Sequence, residues 1–415
     1  MKRRSMILCL FAAGMACTVH AQVGSIPKGI PSLDHVFVIM MENHAYGQVI
    51  GNPNMPFVNK YAKTANLAEN YFAVGHPSLT NYLEIVGGSN FGIRDDNSPD
   101  WHDSTCMPNI MSATVNLETT TTPICPIYGT GTDAATPVID LSNETTGPPG
   151  VIDIDGSLGY AANPNTVGMT IADELVAAGL SWKSYQEDLP PTGADGVNNA
   201  DGFFSNLDDL ATALPGEAQT QSNLVALYAV KHNPFVYFES VQEGLDPQLS
   251  LRRVADFEGA KGLYADLASG HLPSFSFVVP NQCNDQHGRG NAGPACEFDP
   301  NDNGTLQGLN PGLMYRGDVM VQTLVTAIHK SRVWQEGKTA IVVVWDENDY
   351  SISPTSNKVA LTVDTNYGTH GVKSQNFYDS FSLTESIEAG FGLPCLNHAC
   401  DSSSQVMSDL FAAGP

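Results

Sequence analysis

The chain has 415 residues, with 44 acidic against 19 basic side chains, a formal charge of −25 and 42% hydrophobic residues. That apolar fraction excludes global disorder. The charge excludes a general nucleic-acid binder, which needs a basic face to neutralise phosphates, and disfavours anionic membrane surfaces; it suits a soluble protein released into an external medium.

The first element reads as a secretion signal. Lys2, Arg3 and Arg4 precede an apolar stretch from Met6 to Thr18 that is too short to span a bilayer. Val19-His20-Ala21 fits a small-residue cleavage site. Residues 1–21 are therefore expected to be removed, leaving a secreted or periplasmic protein with no integral membrane segment. Two of the eight cysteines, Cys9 and Cys17, lie in the signal. The six that remain are even in number, which in an exported chain favours disulfides. Their order suggests the pairs Cys106–Cys125, Cys283–Cys296 and Cys395–Cys400. Their spacing does not resemble a zinc site.

Short apolar runs then recur along the chain. His35–Met40, Phe235–Phe238, Phe275–Val279 and Ala340–Trp345 read as buried strands, and continuous apolar character without alternation suits a parallel sheet covered on both faces. Helical patterns fall at Met55–Ala65, Leu79–Val86, Thr170–Ala178, Val319–Ser331 and Ser382–Ala389, with Asp318 placed to cap the fourth. This alternation predicts a doubly wound α/β fold: a mostly parallel central sheet with helices on both faces. Asn90–Thr166 is rich in polar and turn-forming residues and reads as a long insertion. Gly193–Gly202 and Asn281–Gly312 read as further surface loops. No linker stands out, so residues 22–415 are expected to form one domain with the insertion around 90–166.

Ligands of parallel α/β sheets gather at the carboxyl ends of strands. The first strand stops at Glu42-Asn43-His44, and the last apolar strand at Asp346-Glu347. Acids at two strand ends share a site only if their charge is neutralised, and oxygen ligands suit a hard divalent cation. Glu42, Asp346 and Glu347 are the candidate anionic ligands, with Asn43 as a neutral one; the bland alternative is a set of solvated loop starts. Ser78, ahead of an apolar helix, is the candidate nucleophile. Free amides at a helix start favour phosphate oxygens, and a nearby cation would lower the hydroxyl pKa. A serine there is also a common N-cap. Asn81, one turn on, could donate to a substrate oxygen. His76, His287 and His370 sit in turns beside these motifs, where an imidazole could bind phosphate or protonate a leaving group. His232, before an expected strand, is less clear.

These motifs together resemble a known family. Met41-Glu42-Asn43-His44, His76-Pro77-Ser78-Leu79-Thr80-Asn81-Tyr82, Pro280-Asn281 with Asp285 and His287, and Trp345-Asp346-Glu347 with Gly368-Thr369-His370 resemble the bacterial phosphoesterase family. That family contains acid phosphatases and phospholipases C and belongs to the alkaline phosphatase superfamily. The likeness runs from about Asp34 to Cys400 in the same order. It implies an alkaline-phosphatase-like fold and metal-assisted phosphoryl transfer through a phosphoserine. Glu42, Asn43, Asp346 and Glu347 would hold the cation, with Ser78 both ligand and nucleophile. His287, His370 and His76 would contact phosphate or assist the leaving group. Asn81, His232, Asn281 and Asp285 are expected around the substrate. One cation is expected, its identity open, and a second is left open.

Three functions compete. The first is a secreted phosphomonoesterase of the acid phosphatase type. The second is a phospholipase C, disfavoured by the lack of a long extra C-terminal region. The third is a binding protein on a former enzyme fold. Asp299-Pro300-Asn301-Asp302-Asn303-Gly304 begins like a calcium loop, but its twelfth position is Asn310 rather than Glu, and the reading is rejected.

Overall fold

The computed structural model describes residues 23–99, 124–134, 160–163, 165–190, 227–290, 292–300, 305–348 and 357–412. The expected signal, Cys106, most of the 90–166 insertion and the Gly193–Gly202 loop lie outside these residues.

The chain begins with β1 (His35–Met41), followed by α1 (Tyr46–Val49), α2 (Pro56–Tyr61), β2 (Asn66–Ala68), β3 (Tyr71–Phe72) and α3 (Ser78–Gly87). The middle carries β4 (Thr130–Gly131), β5 (Thr166–Val167), α4 (Ile171–Ala177), β6 (Trp182–Gln186), α5 (Glu239–Glu243), β7 (Val254–Ala255), α6 (Leu263–Ser269) and β8 (Phe275–Val279). The last third supplies α7 (Pro311–Lys330), α8 (Arg332–Gln335), β9 (Thr339–Trp345), β10 (Leu361–Thr365), β11 (Lys373–Ser374), β12 (Tyr378–Asp379) and α9 (Ser380–Phe391).

Eight strands form one sheet in the order β11-β2-β10-β9-β1-β8-β6-β7. β9, β1, β8, β6 and β7 are parallel, and β10 is antiparallel to its neighbours β9 and β2. β8 and β9 are buried along their whole length, as is β1 beyond His35. Such strands must be covered on both faces. α3, α4 and α9 pack into one helical group, and α2, α6, α7 and α8 into another. The doubly wound, mostly parallel architecture read from the sequence is the one observed. Among the described residues no helix is long and apolar enough to cross a membrane.

Three local expectations change. Phe235–Phe238 is not a strand: Pro234–Tyr237 is a buried 3-10 turn. Pro234 fixes φ and lacks an amide for a ladder, so the apolar run reports burial on all sides. The fourth helix starts about two turns earlier than the expected Val319, at Pro311, and its cap is Asn310, whose side chain accepts from the Gly312 and Leu313 amides. Asp318 lies inside that helix and caps a different one: its carboxylate accepts from the Phe57 and Val58 amides at 3.0 and 2.8 Å, at the start of α2. Asn281–Gly312 is not wholly a surface loop, since Asn281 to Cys283, Asp285 and Gln286 are buried. Cys283–Cys296 and Cys395–Cys400 are disulfide-bonded as expected. Asp299 accepts from the Asn310 amide and meets His44 Nε2 at 2.9 Å, a structural role.

Candidate active site at the carboxyl ends of the central strands

β1 and β9 run in register from His35–Thr339 to Met41–Trp345, so Glu42 and Asp346 emerge side by side. The Asp346 amide donates to the Met41 carbonyl at 2.9 Å, and the Glu42 amide to the Asp285 carbonyl at 2.8 Å. The loops after β1, β8 and β9 are thereby laced together. Asn43 follows at φ 47°, a left-handed conformation that asparagine tolerates, and its amide donates to Asp346 Oδ1 at 3.1 Å.

α3 delivers Ser78. Its N-cap is Pro77, with no side-chain cap bond, so the serine hydroxyl is not used as a cap. The buried Oγ lies 3.1 Å from Glu42 Oε2 and 3.3 Å from Glu347 Oε1. The amides at this helix start are not all available to an anion, because Asp96 Oδ1 accepts from Leu79 N at 3.1 Å. Asn81 is a brace for Glu347 and the preceding turn. Its Nδ2 donates to Glu347 Oε2 at 3.0 Å and to the Gly75 carbonyl at 2.9 Å, while its Oδ1 accepts from the Gly75 amide at 3.1 Å. His76 Nδ1 approaches the same Glu347 Oε2 at 2.8 Å.

His232 enters from a buried 3-10 turn, Val230–His232. Its ring stacks on Tyr82 with centroids 5.2 Å apart and an 8° interplanar angle. Nδ1 faces Asp285 Oδ2 at 3.3 Å, and Nε2 faces Glu42 Oε1 at 3.0 Å. With Asp285 behind the ring, Nε2 is turned toward the strand ends. Asp285 also accepts from the His287 amide at 2.7 Å. His287 Nδ1 lies 2.9 Å from the Gly288 carbonyl and must carry the hydrogen, since a carbonyl only accepts. Its Nε2 lies 3.2 Å from Lys231 Nζ. Lys231 pairs with Asp96 Oδ2 at 2.8 Å. A cleft of about 220 Å³ opens here, lined by Asp96, Lys231, Gln282, His287 and Arg289 among others.

Burial dominates the electrostatics. It pushes Glu42 up to about 8, against the pull of Lys231 and with the push of Glu347. Burial, then Glu42, drives Asp285 and Asp346 well above the usual carboxylate range. Glu347 is also raised by burial, with His76 opposing. Burial, with Lys231 next, holds His287 down to about 3, and Lys231 and His287 join burial in lowering His232. Carboxylates this close and this dry cannot all carry charge unless a cation joins them. The donor set fits one. Asn43 Oδ1, Asp346 Oδ2 and Glu42 Oε1 are buried oxygens that accept no hydrogen bond, on residues that follow two adjacent strands. All are hard oxygen ligands.

Glu42, Asn43, Ser78, Asp346, Glu347, His76, His232, Asp285 and His287 are thus brought into one neighbourhood. His370 is not. It is about half exposed and lies 3.9 Å from Asp364, which pairs with Ile341 in the amino-terminal half of β9, away from the carboxyl ends of the parallel strands. Asn281 is a loop brace rather than a substrate contact: its Oδ1 accepts from the Cys283 and Asn284 amides, and its Nδ2 donates to Asp188. Sequence reasoning missed Lys231 and Asp96. Lys231 stands next to His232 in Lys231-His232-Asn233-Pro234, the one available signal, and Asp96 sits in a polar segment with none.

The Phosphoesterase family pattern matches residues 52–295, more than half of the chain. The chain is 23% identical over 382 residues to a probable acid phosphatase of Kluyveromyces lactis, covering 92% of this chain and 63% of that protein. It is 22% identical over 383 residues to a phosphatidylinositol-3-phosphatase of Mycobacterium tuberculosis, covering 91% and 83%, respectively. An acid phosphatase of Aspergillus fumigatus is 24% identical over 366 residues, covering 88% of this chain and 56% of its own. The chain therefore spans about three fifths of the length of the two fungal relatives. Among solved structures, an alkaline phosphatase superfamily protein from Vibrio parahaemolyticus aligns with a TM-score of 0.44 at 10% identity, over 92% of this chain and 72% of that one. With the family pattern covering more than half of the chain, including Ser78, His232 and the loop after β8, the chain belongs to the phosphoesterase family.

Proposed function

We propose that the protein is a secreted, cation-dependent phosphatase that cleaves phosphate monoesters through a phosphoserine on Ser78. One observation carries this reading: the Ser78 hydroxyl sits between two buried carboxylates, 3.1 and 3.3 Å away, beside oxygens that no hydrogen bond satisfies. Glu42, Asn43, Asp346 and Glu347 would hold a divalent cation, with Ser78 beside it. When bound, the cation offsets the clustered negative charge and polarises the phosphoryl oxygens.

The chain's own residues account for the remaining steps. Ser78 loses its proton along the hydrogen bond to Glu42 Oε2. Its Oγ bonds to phosphorus as the bond to the alcohol oxygen breaks, and the electron pair leaves with that oxygen, which is then protonated. Water attacks the phosphoserine, releases inorganic phosphate and restores the hydroxyl. Asn81 and His76 keep Glu347 aimed at Ser78, and Asp285 backs the His232 ring, whose Nε2 faces Glu42. The disulfides are in keeping with export.

The relatives' names, acid phosphatase and phosphatidylinositol-3-phosphatase, support a phosphatase over a phospholipase C. The test is turnover of p-nitrophenyl phosphate against p-nitrophenylphosphorylcholine, each with and without a chelator. Monoester turnover that the chelator removes is expected. Ser78→Ala should abolish it while leaving the circular dichroism spectrum unchanged. Diester turnover alone would select the phospholipase, and an active Ser78→Ala would remove Ser78 from its role.

A further inference from the structure

We propose that the Lys231 ammonium is the second positive charge of this centre, occupying the position a second cation would take. The proposal rests on the one-cation phosphatase reading above and assigns a role to a residue that reading does not use.

The position is defined by geometry. One ligand atom each from Glu42, His232 and His287 lies within 4.8 Å of the others. His287 has its Nδ1 hydrogen taken by the Gly288 carbonyl, which leaves Nε2 as a lone-pair donor, and His232 Nδ1 faces Asp285 Oδ2 at 3.3 Å with Nε2 turned toward Glu42. Lys231 answers the His287 lone pair, with Nζ 3.2 Å from His287 Nε2. An ammonium and a divalent cation cannot both bind that nitrogen.

Lys231 is also held in place. Asp96 Oδ2 grips Nζ at 2.8 Å, while the other oxygen of the same carboxylate accepts from the Leu79 amide, the residue after Ser78. The ammonium is therefore tied through one rigid carboxylate to the helix that carries the nucleophile. It lines the 220 Å³ cleft together with His287 and Arg289, so a phosphate ester entering there meets it. A lysine is a compact point charge that binds phosphate oxygens without a geometric demand. Lys231 keeps its proton throughout. Its N–H groups face oxygens of the transferring phosphoryl group, whose charge they stabilise as Ser78 attacks and the alcohol leaves.

The test pairs elemental analysis with turnover of phenyl phosphate for the purified wild type, Lys231→Met and Lys231→Arg. The wild type should retain one divalent cation per chain. Lys231→Met should keep that cation and its circular dichroism spectrum but lose about 100-fold in kcat, the effect of removing one preorganised charge donor. Lys231→Arg, which preserves the charge, should recover part of the loss with the cation content unchanged; it remains informative should the methionine variant misfold. Two cations per chain in the wild type would overturn the proposal, as would wild-type turnover by Lys231→Met. A wild type with neither cation nor monoester turnover would instead sink the underlying phosphatase reading.

Discussion

Replacing Glu42 with Gln should stabilise the metal-free protein while destroying its cation site. Glu42 is fully buried, and burial pushes its folded-state pKa to about 8 from 4.5. A raised carboxyl pKa means the folded protein binds a proton that the unfolded chain has already released. Stability is therefore lost as pH rises from 4.5 through about 8. At pH 7 the gap corresponds to about 2.5 units at about 1.36 kcal/mol each, roughly 3 kcal/mol. Asp285, Asp346 and Glu347 share the burden, so the part that Glu42→Gln removes is about 2 kcal/mol. The amide fits the surroundings. Its oxygen can still accept from Ser78, and its NH₂ can face His232 Nε2, which lies 3.0 Å from Glu42 Oε1. The assay is urea unfolding with chelator at pH 5 and pH 8. The variant should exceed the wild type at pH 8, with the advantage shrinking toward pH 5 and reversing when a divalent cation is added. Glu84 and Glu388 are raised by burial as well, but their contribution is common to both proteins and cancels in the difference. A variant that is less stable than the wild type under chelator at pH 8 would refute the reasoning.

Two further outcomes follow from other residues. Asp346→Asn keeps the acceptor for the Asn43 amide but removes a charge from the cation set, so cation affinity should fall by about 100-fold or more; unchanged metal content after dialysis would contradict the assignment. His398 lies between Asp401 Oδ2 at 2.6 Å and Asp133 Oδ2 at 2.7 Å. Burial alone would lower its pKa, but these bonds carry it up to about 10. Its stabilisation is complete below about 6.5 and fades as pH rises toward 10. His398→Asn should therefore be about 2–4 kcal/mol less stable than the wild type at pH 6, with the gap narrowing at pH 10. An equal gap at both pH values would show that the ring acts only by packing.

The strand ends were legible because the apolar runs of β1 and β9 stop abruptly at acids. Which strands adjoin was not, since register depends on contacts between residues some three hundred positions apart. β6, Trp-Lys-Ser-Tyr-Gln, escaped notice because its polar members look solvated. In the fold Lys183 meets Asp266 and Ser184 donates to Asn233 Oδ1, so the polarity is satisfied inside. Phe235–Phe238 misled in the opposite direction, an apolar run whose proline turns it into a 3-10 segment. His370 drew attention through its glycine-flanked turn, but strand direction decides which turns reach the site: β10 runs backwards, so the turn after it lies at the wrong end of the sheet. His232 could not be ranked from the sequence, because its role depends on Tyr82 beneath the ring and Asp285 behind it.

The placement of β1 between β8 and β9 has a consequence for biosynthesis. The nascent chain makes this strand well before either flanking partner, which follow only from residues 275 and 339. Until then Val-Phe-Val-Ile-Met-Met has two bare edges and is a template for errant pairing with other chains. Late closure of the sheet also means that no partial translation product can bring Glu42 and Asp346 together. Holdase dependence during synthesis and an all-or-none onset of the proposed activity would both stem from this single choice of strand order.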